Sequence, residues 1–269
     1  MTTGEAPEAA REVGVIPLEA APAMSVASES ITVDAQVATA KAYPRSVELA
    51  VRNAITAATL DPETAASMTY SLKRSGKVII GPSARLAEVM VQAWGNVRAD
   101  IEPLDEEEKY VTAMATCFDV ESNVAIRLKV RRRATDKRGK KFSDDMLVVT
   151  FNAAASVAYR NAVLKVIPAA IWRKVWDEAK RVATGEGPAL EARRTKALEW
   201  FLEKGVSAEQ VYAYLGVNGI EDIDARLLLI LLGMAQAVKD GDVTVESMFR
   251  PERSDEGAAE LEASLGGGS

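Results

Sequence analysis

Val124-Ala125-Ile126-Arg127-Leu128-Lys129-Val130-Arg131-Arg132-Arg133 alternates apolar and cationic side chains. Successive side chains of a strand point to opposite faces, so this stretch predicts a strand with Val124, Ile126, Leu128 and Val130 on a buried face. Arg127, Lys129 and Arg131 then share a cationic face. The chain stays basic through Lys137-Arg138-Gly139-Lys140-Lys141 and then becomes helical, roughly from Asp145 to Ile167. That helix is apolar at Phe151, Ala155, Ala158, Ala162 and Val166, carries Tyr159, Arg160, Asn161 and Lys165, and stops at Pro168. From Arg127 to Lys141 there are nine Lys or Arg and one acid, Asp136, a local balance of +8 in a chain of net charge −6. A cationic element on an acidic protein calls for an explanation.

Upstream, Tyr110 to Phe118 alternates, and a turn over Asp119–Asn123 joins it to the basic strand. Val97 to Leu104 is a third strand, separated from Tyr110 by the acidic turn Asp105-Glu106-Glu107-Glu108. Met68 to Leu72 and Val78 to Ile80 flank Lys73-Arg74-Ser75-Gly76-Lys77, the pattern of a hairpin. Gly81-Pro82-Ser83 opens a helix lined by Leu86, Val89, Met90 and Ala93 and ended by Gly95-Asn96. Earlier still, Pro44-Arg45-Ser46 opens a helix to Leu60, and Asp61 caps the next with Pro62 at its first position. Asp34 to Ala42 is a short helix before Pro44, and residues 1–33 read as a disordered tail, poor in aromatics with three prolines.

Downstream, Ile171 to Ala183 is amphipathic, with Trp172 and Trp176 one turn apart. Thr184 to Pro188 is a linker. Beyond it lie helices over Leu190–Lys204, from Ser207 to Gly216, and over Asp224–Lys239, with a last turn at Thr244–Phe249. The expected organisation is a tail over 1–33, an α+β core over 34–184, a helical module over 188–250 and an acidic, Gly-rich tail over 251–269. The core is a β-hairpin plus a small antiparallel sheet packed on a long helix. A helical module of about sixty residues is marginal alone, so it docks on the core or on a partner.

Composition narrows the chemistry. The chain has no histidine, which excludes Ser-His-Asp and Cys-His catalysis and His-ligated metal. A single Cys117 excludes thiolate zinc sites and an internal disulfide. No apolar run approaches the ~20 residues that span a bilayer, and Met1–Ser28 lacks a signal peptide's basic start and apolar centre. A cytoplasmic location, with no cofactor, is the expectation.

Each motif has a plain and a functional reading. The basic stretch is either a solvated loop or a strip of cations against a polyanion. Its charges continue a strand face and are balanced by acids in remote tails, which favours the strip. Lys73, Arg74 and Lys77 are a solvated hairpin tip, or widen one groove if the hairpin sits beside the basic strand. Gly81-Pro82-Ser83-Ala84-Arg85 is either a capped helix start or a phosphate site. It is not a Walker A loop, and no other stretch supplies one, so ATP hydrolysis is not expected. Asp100, Glu88 and the acids 105–108 beside Lys109 are a solvent-facing turn or, in a nuclease reading, metal ligands. Tyr70, Tyr110, Phe142 and Tyr159 pack the core or stack on bases. Trp94, Trp172, Trp176 and Trp200 read as core. Gly216-Val217-Asn218-Gly219 is a glycine cap or a faint helix-hairpin-helix turn.

The chain resembles phage single-strand annealing proteins of the RecT, Redβ and Erf superfamily. The resemblance rests on Val51–Ile55, on Gly76–Glu88 with Trp94-Gly95-Asn96, on Ala158–Pro168, and on Leu215–Asp222 with Lys239–Val245. It spans roughly residues 45 to 250. It implies ATP-independent binding and annealing of single-stranded DNA by rings or helical filaments of a recombinase that performs no covalent chemistry. It also implies a groove formed by Lys73, Arg74, Lys77, Arg127, Lys129, Arg131, Arg132, Arg133, Lys137, Arg138, Lys140, Lys141, Tyr159, Arg160, Asn161 and Lys165, with Arg85 a further contact. The implied partners are single-stranded DNA and annealed duplex, further copies of the chain, and a phage exonuclease or host single-strand binding protein at the C-terminal module. A metal-dependent nuclease and a non-catalytic scaffold oligomer are the alternatives.

Overall fold

The structure is a computed structural model that describes residues 21–74, 77–104, 109–136, 138–241 and 243–249. The chain divides into two compact units, Met1–Pro44 and Arg45–Ser269. The first contains helix α1 (Ala21–Ala42), which begins inside the stretch expected to be a tail. The sequence there is rich in alanine, which gives up least on becoming helical, and that preference outweighs the sparse apolar content.

The second unit opens with α2 (Val47–Ala58), capped by Ser46, whose hydroxyl accepts from the Leu49 N–H. Asp61 caps α3 (Pro62–Ser67), accepting from the Glu63 and Thr64 N–H groups at 2.8 Å. The Thr64 hydroxyl and these N–H groups hold its carboxyl below the usual range. A hairpin follows, β1 (Thr69–Arg74) and β2 (Lys77–Pro82), with Tyr70 opposite Gly81 and Arg74 opposite Lys77. Ser83 then caps α4 (Ala84–Trp94), which ends on Gly95 at φ 67. Three strands form a second, antiparallel sheet in the order β3-β4-β5: β3 (Val97–Pro103), β4 (Tyr110–Asp119) and β5 (Val124–Arg133).

Helix α5 (Asp144–Val166) lies across the inner face of this sheet. Ala113, Ala115 and Cys117 of β4 meet Ala154, Ala155, Ala158 and Ala162 of α5. Small residues on both sides let helix and sheet approach closely without voids. Leu86, Met90 and Trp94 from α4 and Val175, Ala179 and Ala183 from α6 (Ala169–Thr184) complete this core. Burial pushes the Cys117 thiol up to about 12, and the side chain packs in this core. Against the expectation that no run could span a bilayer, α5 is long and apolar enough by composition to do so. Alanine carries much of that apolarity, and here the alanine face is spent on the sheet.

The C-terminal helices are α7 (Pro188–Glu203), α8 (Ala208–Leu215), α9 (Ala225–Lys239) and α10 (Val245–Phe249), with a 3-10 turn at Ile220–Asp222. Phe201, Val211, Leu228, Leu231 and Met234 build their own core. This module belongs to the same compact unit as the sheet. Leu232 touches both cores, and α9 rests on β1. Gly233 makes that contact possible, since a Cβ there would sit 2.8 Å from the Ser71 backbone nitrogen. The α+β class and the sheet-on-helix core are as the sequence predicted, and the module docks on the core.

Candidate nucleic-acid interface

The strand β5 places its cations as its alternation requires. Arg127, Lys129, Arg131 and Arg133 are exposed, Ile126, Leu128 and Val130 are half-buried, the last two against the core that α5 shares, and Val124, expected on the buried face, is exposed at the strand's start. In register they stand opposite Thr116, Met114, Thr112 and Tyr110 of β4. Met114 and Thr112 are each only 7 % exposed although they lie on the outer face. Long cationic side chains cover apolar neighbours with their stems and keep the charged heads in water. Arg127 shows this directly, with Nη2 3.4 Å from Met114 Sδ, and the Arg131 guanidinium lies 4.3 Å from the centre of the Tyr110 ring. Arg132 faces the other way and is half-buried.

The outer face is not wholly basic. Register puts Arg98, Asp100 and Glu102 of β3 on it. Arg98 pairs with Asp100 at 2.9 Å, and Glu102 lies 4.0 Å from Arg127. So the balancing acids are not all remote, as expected, but flank the column on β3. Among the described residues, Lys129 and Arg133 have no carboxylate within ion-pairing distance.

The loop after β5 is closed on itself. Asp136 Oδ1 accepts from the Arg138 and Lys140 N–H groups at 2.8 and 2.9 Å, and the Asp136 N–H donates to the Lys140 carbonyl. Thr135 bridges to Lys141, and Gly139 takes φ 83 at the turn. Ala134 and Phe142 pack on Val111 and Leu147, fastening the loop to the start of α5. The lone acid in the basic run is therefore its organising residue. Arg138, Lys140 and Lys141 project exposed from this fixed loop, and Lys137 lies outside the described residues.

The remaining predicted residues do not join this surface. The hairpin is a separate two-stranded sheet and does not sit beside β5. Lys73 lies 5.4 Å from the Tyr214 ring of α8, Lys77 is exposed, and the side chain of Arg74 is outside the described residues. Arg85 is engaged by Glu88 at 2.9 Å, with Asp240 at 3.8 Å, and Ser83 caps the helix start by accepting from the Leu86 N–H. Tyr159 serves the core. Burial, with Glu88 and Cys117 nearby, pushes its phenol up to about 12. Arg160 lies two residues beyond the buried Ala158, about 200° round the helix, and so points away from the sheet. Its guanidinium rests 4.5 Å from the centre of the Tyr70 ring and donates from Nε and Nη2 to Asn161 Oδ1 at 3.2 Å. Lys165 is exposed, about 140° further round from Arg160. The predicted groove is thus two surfaces, with α5 and the sheet between them.

Sequence reasoning missed Arg45. Its guanidinium pairs with Asp119 at 2.9 Å, donates to the Trp94 and Gly95 carbonyls and lies 4.3 Å from the centre of the Trp94 ring. The two side chains are 8 % and 5 % exposed. Burial pushes the Asp119 carboxyl up, but Arg45, the Ser122 N–H and the Trp94 indole outweigh it and hold the group below the usual range. This pair ties α2 to the β4–β5 turn and so holds the end of the cationic hairpin.

For the nuclease alternative, Glu88 and Asp100 are each held by an arginine, and the acids 105–108 lie outside the described residues. No acidic cluster fit for a metal ion occurs among the described residues. A cavity of about 380 Å³ between α3, α6, α7 and α9 is lined by Ala183, Ala197, Trp200 and Leu232, with Glu63 its one acid among the described residues. Gly216 is a left-handed helix cap, not a helix-hairpin-helix turn. Set against protein-family models, curated proteins and solved structures, the chain matches none.

Proposed function

We propose that this chain binds single-stranded DNA through its phosphates and anneals complementary strands without ATP, as an oligomer. The observation that carries the reading is the column Arg127, Lys129, Arg131 and Arg133, continued by Arg138, Lys140 and Lys141 on a fixed loop. Alternate strand residues are about 6.6 Å apart, so the column offers a charge at regular intervals over about 20 Å. Evenly spaced point charges suit a repeating anion whose bases go unread. Annealing requires cancelling the repulsion between two phosphate backbones, and several copies side by side lengthen the row that does so. The resemblance to the RecT, Redβ and Erf superfamily supports the annealing step and assigns the docked C-terminal helices to a partner such as an exonuclease or a single-strand binding protein.

The test is fluorescence anisotropy of a labelled oligonucleotide of mixed sequence, titrated with protein over a range of salt. The reading expects binding that weakens linearly in log salt and is indifferent to sequence. Binding that ignores salt, or no binding at low salt, overturns it.

A further inference from the structure

We infer that the cavity between α3, α6, α7 and α9 is the docking site of this chain's own acidic segment 254–265, which enters it with Leu261 and Leu265 and straps the helical module to the sheet core. The inference is independent of the proposed DNA reading, since the cavity shares no residue with the β5 column.

The cavity combines apolar and basic lining. Ala183, Ala197, Ala235, Trp200 and Leu232 supply the apolar part, and Arg193, Lys196 and Lys239 set three cations against Glu63, a balance of +2. Ala183 and Ala197 are buried while Lys196 and Lys239 are exposed, so the apolar surface lies within and the charge stands at the mouth. Little on the page neutralises that charge. Lys196 reaches Glu63 only at 3.9 Å, between side chains 79 % and 75 % exposed, and such a pair holds weakly. Among the described residues no carboxylate stands within ion-pairing distance of Lys239. Arg193 is held in place, donating from Nη1 to the Val182 carbonyl across Gly185, where a Cβ would meet the guanidinium. An apolar recess with fixed and unneutralised cations suits an occupant that is both apolar and anionic.

The segment 254–265 has that chemistry. It carries Asp255, Glu256, Glu260 and Glu262 with no Lys or Arg, a charge of −4 against the +2 of the lining. Leu261 and Leu265 stand four apart, the spacing at which two apolar side chains share one helix face. The segment also starts close by. Phe249 of α10 packs on Phe201 at 5.6 Å between ring centres, and Phe201 meets Trp200 of the cavity wall at 4.9 Å. Twelve positions separate Phe249 from Leu261, enough to span up to about 40 Å. Tethering so near the cavity gives the segment an effective concentration that a free partner of the same chemistry lacks. Since α3 and α6 pack in the sheet core and α7 and α9 in the helical core, an occupant touches both.

The experiment is disulfide trapping in the full chain without DNA, with copper phenanthroline and air as oxidant. Ala235→Cys in the cavity lining is combined with Leu261→Cys, and the buried Cys117 does not compete. A link within one chain is expected, at a rate independent of protein concentration, read on non-reducing gels and by mass spectrometry of the joined peptides. Lys196→Glu with Lys239→Glu turns the lining from +2 to −2 and should slow linking about tenfold. Glu260→Lys with Glu262→Lys, added to that protein, restores the rate. If Ala235→Cys fails to fold, Lys239→Cys at the exposed mouth replaces it, with Lys196→Glu as the reversal. No link, a link between two copies, or a link whose rate ignores the charge reversals overturns the docking. The assay contains no DNA, so each of these outcomes leaves the proposed function standing.

Discussion

Replacing Arg127, Lys129, Arg131 and Arg133 together with glutamine removes four charges and keeps stems long enough to cover Met114 and Thr112. On single strands each neutralised phosphate contributes about 0.7 to the slope of log affinity against log salt. Four contacts therefore account for about 2.8 of that slope. Raising salt from 50 to 200 mM should weaken the wild-type protein through this column by about 50-fold, and that component should be absent in the variant. Glu102, 4.0 Å from Arg127, does not change the estimate much, since both side chains are more than half exposed and such pairs contribute about 0–1 kcal/mol. The expected cost in stability is small, because the lost ring contact of Arg131 over Tyr110 is worth about 0.5–1 kcal/mol at an exposed site. The assay is anisotropy of a labelled oligonucleotide at several salt concentrations, with thermal melts of both proteins as the control for folding. A folded variant whose salt slope equals that of wild type refutes the assignment of this column.

The other predictions concern the frame that holds the column. Arg45→Met strands Asp119 in a nearly closed site, and urea unfolding should register a loss of about 3–5 kcal/mol. The Asp119 carboxyl is held below the unfolded value of about 3.9, so its stabilisation is full above that value and fades as pH falls through the folded one. Asp119→Asn should accordingly lose less stability than wild type on acidification below about pH 5, in melts recorded across pH. Gly233→Ala improves helix propensity by up to about 1 kcal/mol, yet its Cβ meets the backbone of Tyr70 and Ser71. The net outcome expected in denaturant titration is destabilisation of about 1–3 kcal/mol from overpacking. A more stable Gly233→Ala protein would contradict the packing of α9 on β1.

Alternation along β5 made the cationic face legible, because a two-residue period leaves no choice about which side chains share a face. The capped starts at Ser46, Asp61 and Ser83 were legible for a similar reason, each being a local hydrogen bond written into adjacent residues. Arg45 was not legible. Its partner Asp119 lies 74 residues away, and nothing local distinguishes it from a surface arginine at a helix start. The loop after β5 misled through composition. Its many charges read as a solvated loop or a strip of cations, while the one acid, Asp136, forms the turn that closes it. Arg160 was expected in one groove with the β5 cations, but its separation from the β5 column follows from where the hairpin packs, and no periodicity encodes that.

The central claim is annealing, and strand pairing tests it most directly. Two complementary oligonucleotides, one carrying a dye and the other a quencher, are mixed with the protein in chelator and without ATP. Quenching many-fold faster than the spontaneous rate, slowed by added salt and by the β5 glutamine variant, is the predicted result. A rate equal to that of the oligonucleotides alone, from protein shown by anisotropy to have bound them, would contradict the account.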